Sequence, residues 1–173
     1  MINKLQLGTA TKIIEEPTKG FHVSAGKDRF QEDELLIWGM IPLSTKLSTK
    51  DTGGNLFVFE HKNMGKGGPP RHVHHEQDEW FYAIKGEFLV EIGSEMFRLL
   101  PGDSLFAPRQ IAHGWAHISD EPGTLITAVS PVGTFETFLL DTTKFNRLPS
   151  PEEVEKAFEA GGMTVVGPPL EIN

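Results

Sequence analysis

The chain has 173 residues, a net charge of -8 and no cysteine. That length suits one compact domain with a core of its own. The acidic balance disfavours nucleic acid or an anionic membrane surface as partner, since either would need a basic patch, and the missing thiols exclude disulfides and soft-sulfur metal sites. A cysteine-free chain fits a reducing compartment, so the cytoplasm is the expected location. Residues 1–14 lack the apolar stretch of a signal peptide, and no run of about eighteen apolar residues is present to span a membrane as a helix.

Short apolar runs alternate with turn residues at close spacing, which is the pattern of an all-β barrel or sandwich. In chain order the expected strands cover residues 21–24, 34–40, 55–61, 70–75, 79–85, 88–92, 96–99, 104–107, 112–118 and 124–130. Between them Asp51-Thr52-Gly53-Gly54, Gly65 to Pro70, Gly93-Ser94, Pro101-Gly102-Asp103 and Asp120 to Gly123 supply the dihedrals of tight turns. After Pro131 the period changes. Phe135, Phe138 and Leu139 recur at helical spacing, and the segment 150–160 carries helix grammar: Ser150 as cap, Pro151 in the first turn, Glu153 completing a capping box and Gly161 as stop. Val154, Ala157 and Phe158 form its apolar stripe, and the tail 132–173 is expected to pack on the barrel as one or two short helices.

The segment Arg71-His72-Val73-His74-His75-Glu76-Gln77-Asp78-Glu79 reads as a metal site. Side chains alternate along an extended strand, so His72 and His74 point one way and His75 the other. Glu79 has the wrong parity for one uninterrupted strand, so a hairpin through the polar run from His75 to Asp78 is needed to bring its carboxylate beside both imidazoles. Imidazole and carboxylate together suit divalent iron, manganese, nickel, copper or zinc. Downstream, Gly102 and Pro108 punctuate the apolar run Ser104 to Ala107, and His113 follows as a fourth ligand from another strand.

At His72, His74, Glu79 and Gly86, and again at Gly102, Pro108 and His113, the chain resembles the cupin superfamily. That resemblance covers about residues 55–131, and the phrase from Gly67 to Gly86 is most similar to the quercetinase-like flavonol dioxygenases. It implies a small antiparallel double-stranded β-helix, the jelly-roll or cupin barrel, making one domain of residues 1–173 with the barrel at about 19–131. The sequence departs from the pattern in three places. None of Gly65, Gly67 and Gly68 stands at the family's usual distance before the first His, Gln110 stands where the second motif has Gly, and His117 where it often ends in Asn.

One divalent ion on His72, His74, Glu79 and His113 would keep two positions of an octahedral shell open, enough for a bidentate substrate or for substrate and dioxygen. The resemblance thus implies a dioxygenase on a small aromatic or enolic molecule, with Glu79 accepting the substrate's hydroxyl proton. The alternatives are an isomerase or lyase acting on a sugar or small acid, and a small-molecule-binding cupin without turnover. No serine sits in a Gly-x-Ser-x-Gly elbow, which disfavours a nucleophilic hydrolase. Around the ligands, His117, Phe81, Trp115, Gln110 and Arg71 are candidates for the pocket or for supporting the metal-bound side chains. Trp80 and Tyr82 are expected in the core or an interface. His75 reads as a surface histidine, and His22 and His61, which carry no motif, as structural. Cupins commonly pair through barrel faces, so a homodimer is expected, with the apolar segment 34–40 in its interface.

Overall fold

The structure, a computed structural model, describes residues 19–30 and 35–172. In chain order its elements are β1 (Leu35–Ile37), β2 (Ile41–Leu47), α1 (Thr49–Thr52), β3 (Phe57–Met64), β4 (Pro70–His74), β5 (Asp78–Lys85), β6 (Phe88–Ile92), β7 (Glu95–Leu99), β8 (Ser104–Ala107), β9 (His113–His117), β10 (Gly123–Ser130), α2 (Phe135–Thr142), α3 (Pro151–Ala160) and β11 (Met163–Pro169). Six strands form one sheet in the order β1-β2-β3-β10-β5-β8, and five form the other in the order β11-β4-β9-β6-β7. Every pairing is antiparallel. The two sheets enclose the interior of a double-stranded β-helix.

Alternation along the strands sorts the side chains. On β5, Glu79, Phe81 and Ala83 face inward and are buried, while Trp80 and Ile84 are exposed on the outer face. On β9, His113, Trp115 and His117 face inward. Two apolar clusters result. One fills the barrel around Phe81, Phe88, Val90, Trp115 and Leu125. The other lies where α2 and α3 cap the barrel, around Trp38, Phe57, Phe59, Phe135 and Phe158.

The cap is tied down by polar contacts. Buried Glu136 of α2 accepts hydrogen bonds from Ser48 Oγ (2.7 Å) and the Thr49 N–H (2.8 Å) at the start of α1, so its charge is satisfied. The α3 capping box forms as expected, with Ser150 and Glu153 bonding reciprocally.

The structure differs from expectation at residues 21–24, at residues 34–40 and in the tail. Residues 21–24 are not a strand; there Phe21 packs under the Arg29 guanidinium at 3.7 Å. The apolar run 34–40 is not one strand, because Trp38 and Gly39 take φ of 47° and 70° and turn the chain back into β2; Glu34 lies outside the described residues. Ile37 and Trp38 are buried in this chain's own core, and the Trp38 N–H donates to the Thr142 carbonyl (3.0 Å). This half of the segment is therefore not free to form an interface. Finally, the tail expected to be helical also contains β11, which runs along the edge of the five-stranded sheet beside β4.

Candidate metal centre

His72 and His74 lie on β4, Glu79 near the start of β5 and His113 at the start of β9. The chain bends at residues 75–76, as the parity of Glu79 requires, but β4 and β5 do not form a hairpin. They enter different sheets, so the carboxylate arrives from the wall opposite the first two histidines, while His113 is paired with His72 in register. Ligand atoms from the four residues lie within 4.8 Å of one another, and all four side chains are buried. The cluster stands at the boundary of the two cores: His74 packs on Phe135 and His72 on Phe158 of the cap, and His113 faces Phe81 of the barrel.

The hydrogen bonds fix which ring atoms are available. His72 Nδ1 is 2.7 Å from the Pro70 carbonyl and His113 Nδ1 is 3.1 Å from the Ile111 carbonyl. A carbonyl only accepts, so in both rings Nδ1 carries the proton and Nε2 of the neutral ring is a bare lone pair. These lone pairs converge. His72 Nε2 lies 3.2 Å from His74 Nε2, His113 Nε2 3.0 Å from Glu79 Oε2, and His74 Nε2 3.6 Å from the same oxygen. Acceptors facing acceptors in a buried space need a cation between them. A proton on His113 serves in the metal-free protein, and a divalent ion suits the whole donor set.

The protonation tendencies agree. Burial holds His72 at about 3, helped by the charge of His113 and opposed by the Pro70 carbonyl. Burial likewise holds His74 at about 2. For His113 burial also opposes the charged ring, but the hydrogen bond and charge of Glu79 outweigh it and the pKa rises. His72 and His74 are thus neutral and ready to ligate, while His113 shares the only compensating charge.

An apolar cavity of about 70 Å³ opens onto the cluster, with His72 and Glu79 in its wall. Phe59, His61 and Trp115 line it from the barrel, and Phe135, Phe138 and Phe158 from the cap. Of the five residues that the sequence suggests around the ligands, Trp115 lines this cavity. Phe81 lies in the barrel core, its ring centroid 6.4 Å from that of His113. His117 is in neither the cluster nor the cavity wall; it packs on Phe88 and fills the space left by Gly86 and Gly123. Arg71, of odd parity on β4, pairs with Glu91 (3.0 Å) and donates to the Gly93 carbonyl. Gln110 is exposed, takes φ 65° and donates its N–H to the His74 carbonyl (2.8 Å), so it closes the turn that precedes His113. His75 is exposed and bonds Thr164 Oγ1 on β11.

Two residues that sequence reasoning left aside belong to the site. His61 is in the cavity wall, and the inward alternation Phe57, Phe59, His61 along β3 is the signal that could have found it. Gln77 is buried beside His74. Among the described residues its Oε1 and the His74 Nδ1 have no other partner, and its amide acts to raise the pKa of the His74 ring against burial. Nothing in the local sequence marks it.

A double-stranded β-helix with three histidines and a glutamate gathered at one end of its barrel has the fold of cupins and a side-chain cluster that suits a metal ion. Residues 60–129, about two-fifths of the chain, match the family model described as Cupin domain. KdgF from Halomonas is similar in structure, with a TM-score of 0.52 and 24% identity, over 63% of this chain and 94% of that one. An RmlC-like cupin from Shewanella frigidimarina is similar too, with a TM-score of 0.51 and 24% identity over 67% of this chain and 96% of that one. At such identities the likeness is one of fold. In sequence, an uncharacterized protein of Streptomyces coelicolor is 28% identical over 57 residues, 33% of this chain, and the match spans about half (54%) of that protein.

Proposed function

We propose that the protein is a metal-dependent dioxygenase of the quercetinase-like type that acts on a small aromatic or enolic substrate, with one divalent ion held by His72, His74, Glu79 and His113. The observation that carries this reading is the apolar cavity whose wall includes two of the four ligands. A bound divalent ion supplies Lewis acidity at coordination positions that the protein leaves open. The chain's own residues do the rest. The Pro70 and Ile111 carbonyls hold the His72 and His113 rings in one tautomer and orientation. The aromatic wall excludes water and selects an apolar body. Glu79 Oε2 takes the proton of a substrate hydroxyl and holds it beside the His113 ring.

The test is elemental analysis of the purified protein, followed by oxygen uptake on small enols and catechols after loading with iron, manganese, nickel, copper or zinc. About one ion per chain with oxygen consumption supports the reading. One ion without oxygen consumption turns it toward isomerase, lyase or binding roles, and no specific ion removes the site. Glu79→Gln separates the proton-accepting role from ligation, because a variant that keeps both its metal and full turnover refutes that role. We also infer a homodimer in the cytoplasm. Exposed Trp80 and Phe106, register partners on the outer sheet face, support the first and the absence of cysteine fits the second; sedimentation checks the dimer.

A further inference from the structure

We propose that His61 is the hydrogen-bond acceptor in the cavity wall that recognises a hydroxyl on the far end of a metal-bound ligand, so that the cavity takes small molecules with an oxygen chelating group at one end and a hydroxyl at the other. The inference rests on the metal-site reading above and adds the ligand's second polar group to it.

His61 is 3% exposed, and its Nδ1 lies 2.7 Å from the Pro42 carbonyl of β2. Because that carbonyl only accepts, Nδ1 carries the proton and Nε2 is left as a lone pair. Burial drives the ring's pKa down to about 4 against the pull of the carbonyl, so it is neutral near pH 7 and Nε2 cannot donate. The ring is wedged between Phe59 (5.2 Å) and Trp115 (5.4 Å) and lines the same cavity as His72 and Glu79. Apart from His61 and the cluster residues His72 and Glu79, the side chains lining that cavity are apolar, with N–H groups only on the indoles of Trp38 and Trp115. A buried acceptor in an apolar cavity, with no partner for its Nε2 among the described residues, discriminates strongly, since it is left unpaired whenever the occupant lacks a donor. The ring does not belong to the four-residue cluster, so this function is separate from ligation.

The probes are straight-chain alkyl hydroxamates of two to four carbons, each with and without a terminal hydroxyl, titrated calorimetrically into the zinc-loaded protein. Zinc keeps the measurement independent of turnover. At one chain length the hydroxylated probe binds at least about fivefold tighter than its partner, the yield of one added neutral hydrogen bond. His61→Phe abolishes that preference, so that the paired probes bind alike, while zinc stoichiometry stays as in wild type; His61→Leu serves where the larger ring does not fold. Equal affinity of the paired probes at every length, no binding of either to zinc-loaded protein, or a preference that survives in the variant overturns the proposal and leaves the metal site standing. Failure of the wild-type protein to take up zinc or another divalent ion overturns both.

Discussion

Three buried histidines make the metal-free protein acid-labile by an amount that follows from the structure. His61, His72 and His74 are held at about 4, 3 and 2, against 6.5 for the ordinary ring. Because the folded values lie below the unfolded one, the unfolded chain binds the extra protons in between. The stability these rings confer is therefore present above about pH 6.5 and is lost as pH falls toward the folded values. At pH 5 all three are still neutral in the fold, so the loss per ring depends only on the unfolded pKa and is about 2 kcal/mol relative to pH 7, or about 6 kcal/mol together. His113 has the opposite sign. Its raised pKa favours the fold as pH falls from 7, which offsets about 1 kcal/mol at most. A net loss of about 5 kcal/mol is comparable to the whole stability of many domains, about 5–15 kcal/mol. Urea unfolding of chelator-treated protein, followed by tryptophan fluorescence at pH 7 and pH 5, measures it, and His61→Leu removes about a third of the drop. A midpoint that holds steady or rises at pH 5 refutes the assignment of these rings as neutral and buried.

Other substitutions test single contacts. Gln77→Leu removes the amide beside His74, and metal affinity by competition with a chromogenic chelator falls about 10- to 100-fold, as for other partners of metal-bound histidines. Gly68→Ala places a Cβ against the Trp115 carbonyl oxygen, where only backbone could yield; thermal unfolding shows a loss of about 1–3 kcal/mol. Gln110→Gly relieves a left-handed residue and raises the urea midpoint by up to about 1 kcal/mol of stability, with metal stoichiometry unchanged.

Where the fold was legible in the sequence, the pattern was local. Strands β6 and β8 begin and end at the residues that alternation and turn punctuation indicate, and the others expected from residue 55 to 130 lie within three residues of their observed ends. The α3 caps are read directly from Ser150, Pro151, Glu153 and Gly161. Misreading came where tertiary contact overrides local pattern. An apolar run reads as one strand at 34–40, yet Trp38 adopts a left-handed turn because its ring is buried on Phe158 and its N–H on α2. Pro168 and Pro169 argue against a strand, yet β11 accommodates them because it is an edge, where a missing N–H costs nothing on the open side.

The candidate site divides in the same way. His72, His74, Glu79 and His113 can be found from spacing, since two ligands alternate on one strand and the others are punctuated by turns. The cavity cannot, because its wall joins β3 to helices some 75 to 100 residues downstream. Parity nevertheless decides more than proximity to a ligand in sequence. Arg71 is adjacent to His72 and faces away, paired with Glu91, whereas His61 is eleven residues before it and faces the cavity. Gln110 shows the same separation of roles: where the family pattern has glycine, the backbone still takes the left-handed turn and still meets the His74 carbonyl. The backbone geometry before His113 is thus retained at the cost of local strain. That is expected if the position of the His113 ring, rather than the identity of the turn residue, is what the site requires.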